Sequence, residues 1–209
     1  MVNDSTKTMK LPPSGLLEAL SRAFTYPWNG LAETLEPLKA FAGTPQAAAY
    51  SHAIEGVLAL GEQFPDRTAE QLAYTRLFIG SFKMEAPPYA SFYLEENHTL
   101  NGNAAAEVES VFAQFGIQLD ADEKAPADHL RYLLAFLGLV AARFEETGEL
   151  AFAETYVDFR DEYIMTWIDQ FQVLVERYAE EPRYYAVLVG FIVNVLREDG
   201  APEDAPKGD

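Results

Sequence analysis

Asp128 and His129 place a carboxylate beside an imidazole, a pairing that general acid–base catalysis can use. They lie in the run PADHL at 126–130, where a proline and an acidic residue favour the first turn of a helix. No serine or threonine of the chain forms a nucleophile elbow to complete a hydrolase dyad. As a metal ligand, His129 has no partner at i+3 or i+4, where Tyr132 and Leu133 stand. These observations favour a capping or interface histidine over a catalytic one.

Two further clusters combine aromatic residues with residues that stop helices. In the run YTRLFIG at 74–80, Arg76 could pair with a buried carboxylate or donate to a carbonyl. Alternatively, the run is an ordinary helix C-terminus, where the charge of Arg76 interacts favourably with the helix dipole and Gly80 is the C-cap. The run PPYASFYLE at 87–95 puts aromatic side chains on a stiff backbone. Such a surface binds a peptide with little loss of conformational entropy, although an aromatic loop folded onto the core has the same composition.

Composition excludes most other chemistry. The 209 residues include no cysteine and three histidines, which excludes disulfides, thiolate nucleophiles and cysteine-based metal sites. The sequence contains no glycine-rich phosphate loop and no dinucleotide fingerprint. We therefore expect no catalytic residue, no metal site and no cofactor.

The net charge of −18 narrows the choice of partners. A field of this sign repels nucleic acids and anionic membrane surfaces, and it attracts basic peptide segments. Residues 1–10 lack the apolar region of a secretory signal, and the apolar run at 184–196 is too short to span a bilayer. The expectation is a cytoplasmic protein with no nucleic-acid partner and no stable membrane insertion.

Helical spacing of apolar residues covers most of the chain and predicts an all-α fold. The predicted helices run from Ser14 (as N-cap) to before Pro27, over 31–41, from Thr44 (as N-cap) to Gly61, from Thr68 to Gly80, from Asn103 (as N-cap) to Gly116, from 126 to Gly148, along a long aromatic stretch to Tyr178 that is broken in the middle, and over 183–197 at the centre of the bundle. Residues 80–101 are predicted to form an ordered loop.

The same pattern predicts how the chain is divided. We expect a disordered N-terminus at 1–13, one helical domain at 14–198 with a hinge near 116–126, and an acidic disordered tail at 199–209. The hinge allows one bundle or two lobes. It also allows a monomer or a homodimer that exchanges lobes between chains.

In order and spacing, the clusters resemble the TorD/DmsD family of redox-enzyme maturation chaperones, together with its NarJ branch. That family has a Tyr-x-Arg-Leu-Phe-x-Gly helix end, a proline–aromatic–x-Ser-x-aromatic segment and a Pro-x-Asp-His-Leu/Ile helix start. The matching residues here are Tyr74, Arg76, Leu77, Phe78, Gly80, Pro88, Tyr89, Ser91, Tyr93, Pro126, Asp128, His129 and Leu130. Tyr89 departs from the several members that carry tryptophan at its position.

The resemblance implies a TorD-like all-helical chaperone of the cytoplasm that is not an enzyme. It implies binding to the catalytic subunit of a molybdoenzyme of the DMSO reductase family, as leader peptide (often twin-arginine) or apo-protein, until the cofactor is inserted. The implied peptide-binding residues are Tyr74, Arg76, Phe78, Pro88, Tyr89, Ser91, Tyr93, Asp128 and His129. Two alternatives stay open: a hydrolase-type enzyme that uses Asp128 and His129, and a structural helical adaptor.

Specific roles follow for a groove between the three clusters. Asp128 is predicted to pair with a leader arginine in bidentate fashion. His129 would orient Asp128 or the hinge, and Arg76 would hold the 87–93 loop from beneath. Apolar contact with the leader is assigned to Tyr74, Phe78, Tyr89 and Tyr93.

Overall fold

A computed structural model describes residues 9–80, 83–120 and 125–197. Within these ranges the α-helices are α1 (Ser14–Ala23), α2 (Leu31–Thr34), α3 (Glu36–Ala42), α4 (Ser51–Gly61), α5 (Arg67–Tyr74), α6 (Ala90–Leu94), α7 (Asn103–Gln114), α8 (Leu130–Thr147), α9 (Leu150–Tyr163), α10 (Ile168–Tyr178) and α11 (Tyr184–Arg197). A 3₁₀-helix at Pro45–Tyr50 precedes α4, and a π-helical turn at Thr75–Ile79 extends α5. The described residues contain no strand, so the all-α prediction is confirmed.

Three predicted helix caps are wrong by a small shift. Asn103 is the first helical residue of α7, behind Gly102 at the cap position. Ser14 is the first helical residue of α1 and not its cap. Its N–H and Oγ both donate to the Glu145 carboxylate of α8, at 2.8 and 2.6 Å. At the start of α5, Asp66 takes the place predicted for Thr68, because its carboxylate accepts the Ala69 N–H at 2.9 Å.

Other differences concern where helices are interrupted. The helix predicted over 31–41 is split into α2 and α3, because Pro37 has no N–H to donate to the carbonyl of Glu33. The loop predicted over 80–101 contains the short helix α6. The break in the long aromatic helix is confirmed, since α9 ends at Tyr163 and the Trp167 indole donates to the Tyr163 carbonyl at 2.7 Å across the gap.

The helices share one apolar core that extends from Leu16 to Leu196. α1 packs between α8 and α3, α8 also contacts α9, and α11 contacts α10 and α4. In α11, apolar side chains are buried on nearly all sides, as predicted from its sequence. No helix in the described part of the chain has the length and apolarity that crossing a bilayer requires.

The predicted domain boundaries remain predictions. Residues 1–8 and 198–209, which include most of the predicted disordered ends, lie outside the described residues. Residues 121–124 of the predicted hinge lie outside them as well. Within the segment predicted to be disordered at the N-terminus, Leu11 packs against the core.

Candidate functional site

The three sequence clusters meet around the ring of Phe24, at the end of α1. The ring centroid of Phe24 lies 4.9 Å from that of Phe78 and 6.1 Å from that of His129. It also lies 6.0 Å from Phe171, whose ring is 6.4 Å from that of Tyr93 in the second cluster. The fold thus brings together the segments that the sequence singled out.

Backbone hydrogen bonds join the second and third clusters. The Leu130 N–H donates to the Pro88 carbonyl at 2.9 Å, and the Ala90 N–H donates to the Asp128 carbonyl at 3.2 Å. Between these bonds, Tyr89 and His129 form an isolated antiparallel bridge, with their rings edge-to-face at 4.9 Å. We call this pairing of segments 88–91 and 126–131 the Tyr89–His129 junction.

His129 is the N-cap of α8. Its Nδ1 accepts the N–H of Arg131 at 3.1 Å, which assigns the ring a structural hydrogen bond at the helix start. Burial, with a smaller contribution from the nearby Arg131 charge, lowers the pKa of His129 to about 3. The ring is therefore neutral at physiological pH. This geometry agrees with the prediction that His129 caps a helix rather than acting as a catalytic base.

Asp128 is fully buried, and its Oδ2 accepts the Ser91 N–H at 2.6 Å. Its Oδ1 and the Ser91 Oγ are buried without a hydrogen-bond partner among the described residues. A carboxylate in this position holds segment 88–91 against α8 and is closed off from solvent. The predicted ion pair between Asp128 and a leader arginine does not fit this arrangement, because the carboxylate is inaccessible.

Tyr74 and Phe78 are core residues, with 4% and 1% of their surface exposed. Their rings pack edge-to-face at 5.0 Å, and each also contacts Tyr185. A direct contact of either ring with a client is not available in this arrangement. Their helical spacing and apolar surface explain the burial, since one face of α5 and its π-helical turn must cover the core.

Arg76 is on the surface and makes an ion pair with Glu180. The prediction that it holds the 87–93 loop from beneath does not fit this contact, because Glu180 lies in the turn between α10 and α11. Pro88 and Ser91 are buried in the junction. The accessible members of the predicted set are therefore Arg76 and the half-buried Tyr89 and Tyr93.

Trp28 is an exposed aromatic residue that the sequence reasoning did not single out. Its side chain is 73% exposed, and its ring lies 4.5 Å from that of Tyr26, which in turn contacts Tyr74 at 5.3 Å. The Gln71 side chain donates to the carbonyls of Pro27 and Trp28 at 3.0 and 3.1 Å and fixes this loop. A tryptophan directly after the Tyr-Pro helix end was the signal available in the sequence.

Two cavities adjoin at Tyr178 on the α10 side of the molecule. The first has a volume of about 710 Å³ and lies between α5 and the turn from α10 to α11. The second, of about 550 Å³, lies between α10 and the 83–98 segment and is lined in part by Tyr93. Across the described residues, no group of three or more His, Asp or Glu side chains is placed to hold a metal ion.

The fold and these surfaces define an all-helical protein with aromatic clefts and a buried, non-catalytic histidine. Residues 18–172 match the family described as nitrate reductase delta subunit. The chain is 32% identical over 154 residues to the Chaperone protein TorD of Vibrio parahaemolyticus, a match that covers 70% of this chain and 72% of that protein. A second Chaperone protein TorD, from Psychrobacter, is 27% identical over 158 residues, with 74% and 71% covered.

The fold is also similar to that of a solved structure. A crystal structure of a proposed redox enzyme maturation protein from Archaeoglobus fulgidus aligns with a TM-score of 0.53 at 20% identity, over 88% of this chain and 92% of that one. The chain belongs to the nitrate reductase delta subunit family, and its resemblance to the TorD branch is confirmed. The relatives are named as chaperones, a role that involves no catalysed reaction.

Proposed function

We propose that this protein is a cytoplasmic chaperone for the catalytic subunit of a molybdoenzyme of the DMSO reductase family. It binds the leader peptide, often of twin-arginine type, or the apo-protein, and holds it until the cofactor is inserted and export can follow. The observation that carries the proposal is the match to proteins named Chaperone protein TorD over 70% of this chain.

The charge and the accessible aromatic residues suit such a client. A twin-arginine leader combines two positive charges with an apolar stretch. The net charge of −18 attracts the two arginines. Exposed or half-buried rings such as Trp28, Tyr89 and Tyr93 can pack against the apolar stretch. The buried members of the predicted set, Asp128 and His129 among them, position these rings by holding the junction.

The geometry argues against a hydrolase that uses Asp128 and His129. Nδ1 of His129 is already an acceptor for Arg131, and the buried hydroxyl of Ser91 makes no hydrogen bond among the described residues. A Ser–His–Asp relay needs the serine hydroxyl bonded to the imidazole and open to substrate. Neither condition is met at the junction.

Recovery of the client tests the proposal and separates it from a structural adaptor. The tagged protein, expressed in cells that respire anaerobically, is expected to capture a molybdoenzyme subunit in its cofactor-free form. The same subunit loaded with cofactor should be released. Capture of both forms equally would favour the adaptor, and capture of neither would overturn the proposal.

Titration calorimetry with leader peptides tests the contribution of the junction surface. Tyr89→Ala is expected to weaken binding about tenfold, because a half-buried ring loses its apolar contact with the peptide. Phe152→Ala, at a partly buried ring on α9 away from the junction, is the matched control. Equal affinity of the wild type and Tyr89→Ala would remove Tyr89 from the site.

The oligomeric state is part of the same proposal. A monomer, or a homodimer that exchanges lobes across the segment near 116–126, would each present the junction surface. Light scattering of the purified full chain, with and without leader peptide, distinguishes the two forms.

A further inference from the structure

The two cavities that adjoin at Tyr178 lie outside the Tyr89–His129 junction. One side of the first cavity is the outward face of α5 and its π-helical turn, from Ala69 through Leu72 to Arg76. Leu72 is 63% exposed, although it is a large apolar residue. A helix of a soluble protein normally turns such residues towards the core. This face is therefore apolar surface that the described residues leave uncovered.

The floor of the first cavity carries two unpaired hydroxyl groups. Tyr184 and Tyr185 line the cavity and are 1% and 2% exposed. Neither hydroxyl has a hydrogen-bond partner among the described residues. Burial raises the pKa of both phenols, so each hydroxyl remains protonated and is able to donate. Both hydroxyl oxygens are closed to solvent, so in this arrangement the two rings offer the cavity their apolar surface.

The second cavity repeats this combination of apolar walls and an unpaired phenol. Phe92, Leu174 and the 52% exposed Val173 supply apolar surface. Tyr93 stacks on Trp167 at 5.3 Å, and its hydroxyl is likewise buried without a partner among the described residues. Stacking fixes the ring, so its apolar surface is held in place at the wall of the cavity.

Charge is concentrated at one end of the first cavity. Glu180 and Glu181 stand there beside Arg76. The side chains of Arg76 and Glu180 are 54% and 66% exposed, and an ion pair with that much solvent contact contributes little net stability. A basic residue of a ligand can therefore replace Arg76 at Glu180 with little loss, and Glu181 adds a second negative charge.

From these features we infer that the two cavities form one groove for an apolar peptide segment that is preceded or followed by a basic residue. The basic side chain binds at Glu180 and Glu181, and the apolar residues fill the two cavities along α10. That the segment belongs to a molybdoenzyme client rests on the proposed function. The groove itself rests on the described residues, and it adds a second binding surface to the junction.

Charge-insertion variants test the apolar walls. The probe is a fluorescently labelled synthetic peptide with two arginines followed by an apolar stretch, and the readout is fluorescence anisotropy. Leu72→Asp and Val173→Asp are each expected to weaken binding about tenfold or more, because a carboxylate would be desolvated against the peptide. Leu150→Asp is the matched control, since Leu150 is 54% exposed on α9 and lines neither cavity. All three sites are exposed, so thermal unfolding should be unchanged.

Charge-removal variants test the end of the groove. The double substitution Glu180→Gln and Glu181→Gln is expected to weaken binding of the arginine peptide several-fold. A second peptide, with glutamine in place of both arginines, should bind the wild type and the double variant equally. The double substitution Glu154→Gln and Asp158→Asn, at exposed acidic residues of α9, controls for the change in net charge. Equal loss in this control would show a long-range charge effect and would overturn the assignment of the basic residue.

The results for the groove and for the proposed function are separable. If the wild type captures its client but Leu72→Asp and Val173→Asp bind the peptide as the wild type does, the groove is overturned and the chaperone proposal stands. If no client is captured but peptide binding depends on these two residues, the groove stands and the proposed function falls. Failure of the wild type to bind the arginine peptide overturns the groove in either case.

Discussion

His129 and Asp128 are neighbours in the chain, but their side chains serve different contacts. The imidazole caps α8 through the Arg131 N–H, and the carboxylate holds Ser91 of the opposite segment. Both side chains are closed to solvent, so they stabilise the fold and cannot react with a substrate. Substitutions at these two positions should therefore mainly change the free energy of unfolding.

Acid should destabilise the protein through His129. The pKa of this group is lowered by burial to about 3 from its ordinary 6.5, so between these values the unfolded chain binds a proton that the folded chain does not. The contribution of His129 to the free energy of unfolding is therefore fully present above the pKa of the unfolded chain. It decreases as the pH falls below that value, by roughly 1–2 kcal/mol between about pH 7 and about pH 5. Urea unfolding at a series of pH values measures this slope.

His129→Asn isolates the effect, because asparagine keeps a capping acceptor but does not titrate in this range. The variant should lose less stability on acidification than the wild type. His52→Asn, at an exposed histidine of α4, is the control for the loss of one histidine elsewhere in the chain. An unaltered slope in His129→Asn would mean that acid acts through other groups.

Asp128→Ala should lower the free energy of unfolding by about 2 kcal/mol, because the buried Ser91 N–H loses its acceptor. Asp128→Asn keeps an oxygen for that N–H and should cost less. Denaturant titration of both variants, with Asp158→Ala on the exposed side of α9 as control, tests this ordering. The sequence predicted a different role for Asp128, an ion pair with a leader arginine, because sequence alone does not reveal that this carboxylate is buried.

At the scale of helices, the spacing of apolar residues predicts that a helix forms more accurately than it predicts the residues at which the helix begins and ends. The stripe of α1 and the all-round apolar surface of α11 arise from packing on one core, so they can be predicted from periodicity. The acceptor at the start of α1 cannot be predicted in this way. It is Glu145, which lies 131 residues further along the chain and reaches Ser14 only after α8 has packed against α1.

Glu145→Ala should destabilise the contact between α1 and α8. The carboxylate accepts two hydrogen bonds at the N-terminus of α1, and at this exposed position their loss should cost about 0.5–1 kcal/mol. Glu154→Ala, on the neighbouring helix, is the control. Hydrogen exchange at the first turn of α1 should rise in Glu145→Ala, and equal protection in both variants would contradict the cap.

At the scale of the whole molecule, the negative charge acts on every cationic partner. Binding of an arginine-containing leader peptide should weaken several-fold between about 0.1 M and about 1 M salt, where the screening length falls from about 10 Å to about 3 Å. The glutamine-substituted peptide should respond much less. Calorimetric titration of both peptides across this range makes the comparison, and equal salt dependence would exclude an electrostatic contribution.

The candidate site was predictable as a set of segments but not as a set of exposed side chains. The clusters containing Tyr74, Tyr89 and His129 do meet, around Phe24. Which rings face solvent depends on how α5 is rotated against α11, and this is set by packing partners distant in the chain. For the same reason Tyr184, Tyr185 and the exposed Leu72 gave no sign of a shared cavity in the sequence.

The two tryptophans of the chain occupy opposite environments, and this gives the protein a built-in pair of optical reporters. Trp28 is 73% exposed beside Tyr26, whereas Trp167 is 1% exposed and stacked on Tyr93. Quenching by acrylamide should therefore be biphasic in the native state. Trp28→Phe leaves emission from Trp167 alone, so a client that fills the cavity beside Tyr93 becomes visible without any attached dye.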